Sequence, residues 1–165
     1  VRALGETPYL RHADAVLPQV IIKERFGEFA YRRTGPGPLE IDPAWIAAHI
    51  VAVDLPILGP TRCHRDLVPA LRGVLDDLEA ANLAHLVASY EGCYLARTLH
   101  GSTQISRHTW GAAVDVNFSV GPTGTTGAQD RRLVEVFERW GFGSGDAWLI
   151  PDSGHFEHIA RPGPR

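Results

Sequence analysis

The chain has 165 residues, enough for one domain with a real hydrophobic core, and its balance of 44% hydrophobic to 21% charged residues excludes a disordered chain. A formal net charge of -3 gives no support to nucleic-acid or membrane-surface binding by bulk charge. No apolar run reaches the length of a membrane span.

The chain begins with Val1, and residues 1–5 do not look like a signal peptide, so a processed protein or an excised domain is expected. Residues 1–19 lack a clear period and read as an arm or loop. Val20 to Arg33 is rich in β-branched and aromatic residues around Gly27, which predicts two short strands or a hairpin. Thr34-Gly35-Pro36-Gly37-Pro38 reads as a turn or linker. Asp42 and Pro43 start a short helix as N-cap and first helical residue, with Trp45, Ile46 and His49 or Ile50 on its inner side. Val51 to Leu58 looks extended and ends at Gly59-Pro60.

The clearest helix lies within residues 64–82, where Leu67, Leu71, Val74, Leu75 and Leu78 recur at spacings of three and four. Pro69 belongs in its first turn, and Asn82 closes it. Leu83 to Tyr90 reads as a strand, and Glu91 to Arg107 as a long loop. Gly111 to Phe118 is the next strand, with Ala113, Asp115 and Asn117 on one face and Val114, Val116 and Phe118 on the other. Gly121 to Gly127 is a flexible loop. Asp130 to Trp140 is an amphipathic helix with Leu133, Phe137 and Trp140 inward and Gly141 as its stop. Phe142 to Asp146 turns. Ala147–Ile150 and Gly154–Ala160 form a last strand pair, and the tail from Arg161 frays. The predicted fold is α+β, an antiparallel sheet with helices packed on one side. One domain is expected, with residues 1–60 as a strap and first elements and 61–165 as the core. Two cysteines, Cys63 and Cys93, suit either one disulfide or two buried thiols.

Two segments carry chemistry. Ser106-Arg107-His108-Thr109-Trp110-Gly111-Ala112-Ala113-Val114-Asp115-Val116-Asn117 places an imidazole seven residues before a carboxylate. Pro151-Asp152-Ser153-Gly154-His155-Phe156-Glu157-His158 adds a second imidazole with a carboxylate three residues before it. A catalytic zinc needs three protein ligands of these types and an open position, with a nearby carboxylate to carry protons. His108, Asp115 and His155 can supply the ligands and Asp152 the base. Glu157, on the same strand face as His155, is the rival base or a carboxylate that orients a ligand imidazole. His158 falls on the other face and reads as structural. His12, His49, His64, His85 and His100 show no partner pattern and read as surface or satisfied core residues. Trp110, Trp140 and Trp148 read as core or cleft wall.

The pattern Ser-x-His-x-x-Gly-x-Ala-x-Asp followed by Asp-x-x-His-Phe-Glu resembles the D-alanyl-D-alanine carboxypeptidase/dipeptidase family, in the group with lysostaphin-type peptidases and the hedgehog signalling domain. The segment Tyr90 to Arg97 is similar to the family's stretch carrying an arginine before the metal motif, and the resemblance spans about residues 61–159. It implies one zinc on His108, Asp115 and His155, Asp152 as general acid/base, Arg97 at the oxyanion and Ser106 as a substrate contact. It implies peptidoglycan stem peptides as substrates, cut beside a D-amino acid by a carboxypeptidase or endopeptidase in the cell envelope or outside the cell. A monomer is expected, with no nucleic-acid partner and no membrane insertion. Ser153-Gly154 stands where many relatives have Pro-Met, and Gly143 to Trp148 is looser than the usual Gly-Gly-x-Trp. These departures concern substrate choice, and keep open an inactive zinc-bearing module that binds cell wall. A weaker alternative is a non-peptidase amidohydrolase.

Overall fold

The computed structural model describes residues 17–119, 124–146, 148 and 150–160. The expected N-terminal arm with His12, apart from residues 17–19, lies outside these residues. So do 121–123 of the glycine-rich loop, residues 147 and 149 of one expected strand, and the tail from Arg161. The fold is α+β, as expected, with antiparallel sheets and four α-helices among the described residues.

The first departure comes at once. Gln19–Phe26 is a helix, α1, where strands were expected. Ile22 and Phe26 stand four residues apart and are both buried, so tertiary burial of one helical face overrides the β-propensity of Val20-Ile21-Ile22. Gly27, at φ +90°, ends the helix. Strands β1 (Tyr31–Arg33) and β2 (Leu39–Ile41) then form a hairpin, so Thr34 to Pro38 is its turn and not a linker. Helix α2 (Pro43–His49) starts as expected, with the Asp42 carboxylate accepting from the Ala44 N–H at 2.9 Å.

Strands β3 (Ile50–Leu55) and β4 (Gly59–His64) form a second hairpin. The extended run expected to end at Gly59-Pro60 in fact turns there and returns as β4, whose Pro60 hides a strand signal. Helix α3 (Val68–Ala80) has Pro69 in its first turn, and Asn82, at φ +58°, follows it. Leu67, Leu71, Val74, Leu75 and Leu78 are all buried, as their spacing predicts. Residues 84–86 form a 3-10 turn, and only Tyr90–Gly92 is extended, as β5. The Asn117 side chain holds this stretch in place. Its Oδ1 accepts from the N–H groups of Ala88 and Ser89, and its Nδ2 donates to Leu86 O.

The main sheet has the order β5-β6-β8-β7, with β6 at Ala113–Val116, β7 at Phe142–Gly145 and β8 at Asp152–His158. The turn expected at Phe142–Asp146 is therefore a strand, and the terminal pair is β7 with β8. Helix α4 (Arg131–Arg139) is capped by Asp130. Val114, Val116, Phe142 and Phe156 point to α3 and α4 and share one core with Leu133 and Phe137. Phe137 stacks on Phe156 at 4.1 Å between ring centroids. Two expected core residues do not enter it. Phe118 is 44% exposed, because Asn117 at φ +57° breaks the strand alternation. Trp140 is 39% exposed and lies over Gly73, where a Cβ would come within 2.4 Å of its ring.

A second core joins the N-terminal elements to the segment before β6, through Ile22, Phe26, Ile41, Trp45, Ile105 and Trp110. Cys63 and Cys93 form a disulfide across 5.5 Å between Cα atoms, tying β4 to the residue after β5. By chain-entropy reasoning a loop of this separation is worth about 3–4 kcal/mol. Paired Cys63→Ser and Cys93→Ser substitutions are expected to lower unfolding stability by that order in denaturant titration.

Two buried histidines face α1. His64 bonds to Phe26 O at 3.0 Å, and His158 lies against the Arg25 guanidinium. Burial pushes both down to about 4, for His158 with the Arg25 charge adding to the effect. The unfolded chain binds their protons nearer pH 6.5, so their contribution to stability is complete above that value and lost as pH falls toward 4. Unfolding free energy is expected to drop by about 3 kcal/mol per histidine over this window, and His64→Gln or His158→Gln to flatten the slope. An unchanged slope in both variants would refute this account.

Candidate metal centre

Ser106 opens a 3-10 turn over Arg107–Trp110, its Oγ accepting the His108 N–H at 3.3 Å. Gly111 ends the turn at φ +64°. A Cβ there would sit 2.5 Å from the His64 backbone nitrogen, so only glycine lets the turn press against the end of β4. Two residues on, β6 begins. The β6–β8 register places Asp115 directly opposite His155 and Val114 opposite Phe156. Side chains alternate, so the pair that faces the core leaves Asp115 and His155 on the other face, toward the turn that carries His108.

The three groups converge. His108 Nε2 lies 3.0 Å from Asp115 Oδ1 and 3.2 Å from His155 Nδ1, and His155 Nδ1 lies 2.9 Å from the same carboxylate oxygen. The remaining ring nitrogens are committed elsewhere. His108 Nδ1 donates to Cys93 O at 2.8 Å, and His155 Nε2 donates to Glu157 Oε2 at 3.1 Å. When neutral, each imidazole therefore turns a lone pair inward, where it meets the other's lone pair and a carboxylate oxygen. Three electron-pair donors packed together repel unless a cation or proton lies among them. Ligands at zinc distances on a tetrahedral ion stand about 3.3 Å apart, close to the spacings found. The residues thus fit a metal ion.

The electrostatics agree. Burial opposes ionisation of Asp115, yet hydrogen bonds from the His108 and His155 rings, protonated when no cation lies between them, hold its carboxyl well below the ordinary range. Burial also opposes a charge on His155, but Asp115 and Glu157 outweigh it and push the imidazole up to about 10. Positive charge is favoured at this point. Glu157 is 4% exposed and sits between Ala113 and Gly143 on the neighbouring strands, whose small side chains leave it room.

Asp152 begins β8, half-buried. Burial raises its pKa; the charge on His155 pulls it down, and that on Asp115 pushes it up. The Arg97 guanidinium reaches to 3.8 Å from Asp115 Oδ2. Its backbone is held by Thr109, whose Oγ1 accepts the Arg97 N–H at 3.1 Å and donates to Arg97 O at 2.9 Å. Trp148 walls one side, with its ring 5.0 Å from that of His155.

Ser106 is the exception among the expected site residues. It is 1% exposed and its hydroxyl caps the turn, so it supports His108 from beneath and offers no surface to a substrate. His49, His64, His85 and His158 stand outside the cluster of donors, and His100 is exposed in the loop before Ser106. Sequence reasoning missed Thr109 and the Cys93 carbonyl. A backbone acceptor has no residue signature, and a threonine inside a turn does not announce a partner twelve residues upstream.

The family model described as D-alanyl-D-alanine carboxypeptidase matches residues 100–158, a segment that contains His108, Asp115, Asp152 and His155. Arg97 falls just before it. The match supports the resemblance to that family and a metal-dependent peptidase. No curated protein and no solved structure matches the chain.

The purified chain is expected to take up about one divalent ion, and His108→Ala to abolish this in elemental analysis. Glu157→Gln is expected to weaken zinc affinity by about 10- to 100-fold in competition with a chromophoric chelator, because the His155 ring loses its anionic anchor. Unchanged affinity would remove Glu157 from the site's support.

Proposed function

We propose that the chain is a zinc peptidase that hydrolyses peptidoglycan stem peptides next to a D-amino acid, as a D-Ala-D-Ala carboxypeptidase or a related endopeptidase. The observation that carries the reading is the inward convergence of His108 Nε2, Asp115 Oδ1 and His155 Nδ1, with a second carboxylate at Asp152. A zinc ion held by these three residues supplies Lewis acidity, which polarises a peptide carbonyl and makes water a nucleophile near neutral pH.

The chain's own groups do the rest. Asp152 takes a proton from the attacking water and passes it to the leaving amine. A carboxylate that burial makes more basic than usual is suited to both halves of that transfer. Arg97, 43% exposed at the side chain, offers its guanidinium to negative charge that develops on the carbonyl oxygen. Glu157 is the weaker candidate for the base, since one of its oxygens is occupied by His155 and the residue is buried. Trp148 forms a wall against which an apolar part of the substrate can rest.

We assign the protein to the cell envelope or the extracellular space, acting as a monomer. The Cys63–Cys93 disulfide supports the location, because such bonds persist in oxidising compartments. Among the described residues, no helix is long and apolar enough to cross a membrane.

Incubation of the zinc-loaded chain with defined muropeptides, read by mass, tests the activity and names the bond that is cut. Retention on cell walls without product release would point to the inactive binding module instead. Asp152→Asn is expected to retain the metal and lose turnover by about 100-fold or more, on the scale of general-base catalysis. A variant that cleaves at the wild-type rate would remove Asp152 as the base.

A further inference from the structure

Arg97 and His108 come from separate segments, yet a single turn fixes both. The His108 imidazole leaves the 3-10 turn Arg107–Trp110 toward Asp115, with Nε2 3.0 Å from Oδ1. The next side chain, Thr109, ends instead on the backbone of residues 95–97. Its Oγ1 accepts the Arg97 N–H at 3.1 Å and donates to Arg97 O at 2.9 Å, and Leu95 O lies 3.4 Å away as a second acceptor. The backbone of the turn adds two bonds to the same segment. Leu95 N–H donates to His108 O at 3.0 Å, and Ser106 N–H donates to Arg97 O at 3.0 Å.

The hydroxyl thus stands where a strand partner would offer Arg97 a carbonyl. Thr109 is fully buried, so the hydroxyl has no water to turn to and stays committed to these partners. On its other side the segment is tied to the β1–β2 hairpin, through Leu39 N–H to Ala96 O at 3.0 Å and Thr98 N–H to Gly37 O at 2.9 Å. From this fixed peptide the Arg97 guanidinium reaches to 3.8 Å from Asp115 Oδ2. That is the carboxylate oxygen the imidazoles leave free, since both of them meet Oδ1.

From these contacts we infer that Thr109 is a positioning residue for Arg97. Its hydroxyl holds the Arg97 peptide against the turn that carries His108, and so sets where the guanidinium stands relative to the cluster of metal-binding donors. Ligand and arginine then form one rigid unit. Valine would fill nearly the same volume but offer neither bond, leaving the Arg97 N–H without its acceptor, whereas serine keeps the hydroxyl. The inference rests on the peptidase reading for the task Arg97 performs, but its first two measurements do not depend on that task.

The first measurement is amide hydrogen exchange at Arg97, followed by NMR in the wild type, Thr109→Val and Thr109→Ser. Exchange is expected to be at least about tenfold faster in Thr109→Val and restored in Thr109→Ser. The second is zinc affinity in competition with a chelator, expected to be unchanged in all three. The third is calorimetric binding of a phosphinate dipeptide, an anion with the tetrahedral shape of the hydrated carbonyl, to the zinc-loaded chain. Thr109→Val is expected to weaken it by about tenfold, and to cause no further loss in an Arg97→Ala background. Unchanged exchange, a loss of zinc as large as the loss of phosphinate, no phosphinate binding to the wild type, or losses that add in the double variant overturn the assignment. Turnover of muropeptides is read in parallel by mass. Wild-type turnover in Thr109→Val removes the positioning role and leaves the peptidase, whereas the expected exchange and phosphinate results without any turnover remove the peptidase and leave the positioning role.

Discussion

Everything at the centre depends on where two protons are kept away from. Cys93 O and Glu157 Oε2 each claim one imidazole N–H, so in their neutral forms, the forms that bind a metal, His108 Nε2 and His155 Nδ1 turn lone pairs toward Asp115. In water such an arrangement would disperse. Here the strand register, the turn at Ser106 and the buried core behind Phe156 hold it. The folding of the sheet therefore works against local electrostatic repulsion, and a divalent cation relieves it. A metal bound by this cluster would for this reason also stabilise the fold.

The supporting structure is built in layers around that demand. One face of β6 and β8 packs against α3 and α4 through Val114, Val116 and Phe156, and this rigid contact sets the spacing of the opposite face. The N-terminal elements brace the other side. Leu39 N–H bonds to Ala96 O next to Arg97, Trp110 bonds to Gly27 O, and the Arg107 guanidinium bonds to Leu17 O. The disulfide at Cys93 clamps the residue whose carbonyl orients His108. Residues far apart in sequence are thus linked to one ligand by a short path of covalent and hydrogen bonds.

The same economy explains the positions of small residues. Gly111 lets the turn lie on β4, and Ala113 and Gly143 flank Glu157 so that its carboxylate can reach His155. Larger side chains at these places would move a ligand or its partner, not merely crowd a surface.

Much of the site was legible in the chain because its parts are local. The turn with His108, the strand with Asp115 and the strand with Asp152 and His155 each keep a fixed residue spacing, and period-two alternation already put Asp115 opposite the core-facing valines. The amphipathic helices α3 and α4 were equally plain from their three- and four-residue repeats. What needed the folded molecule were choices settled by distant contacts. Helix α1 wins over a strand because Ile22 and Phe26 find a core built with Ile41 and Trp45 and with the distant Ile105 and Trp110. Strand β7 exists because β8 hydrogen-bonds to it, though its own residues read as a turn, and β4 exists because β3 does, beyond the point where the extended run was expected to end. Ser106 looks available in one dimension and is covered in three. The pairing of Cys63 with Cys93 and the tautomers of the two imidazoles belong to the same class. Each is decided by a partner whose identity is invisible until the backbone brings it within reach.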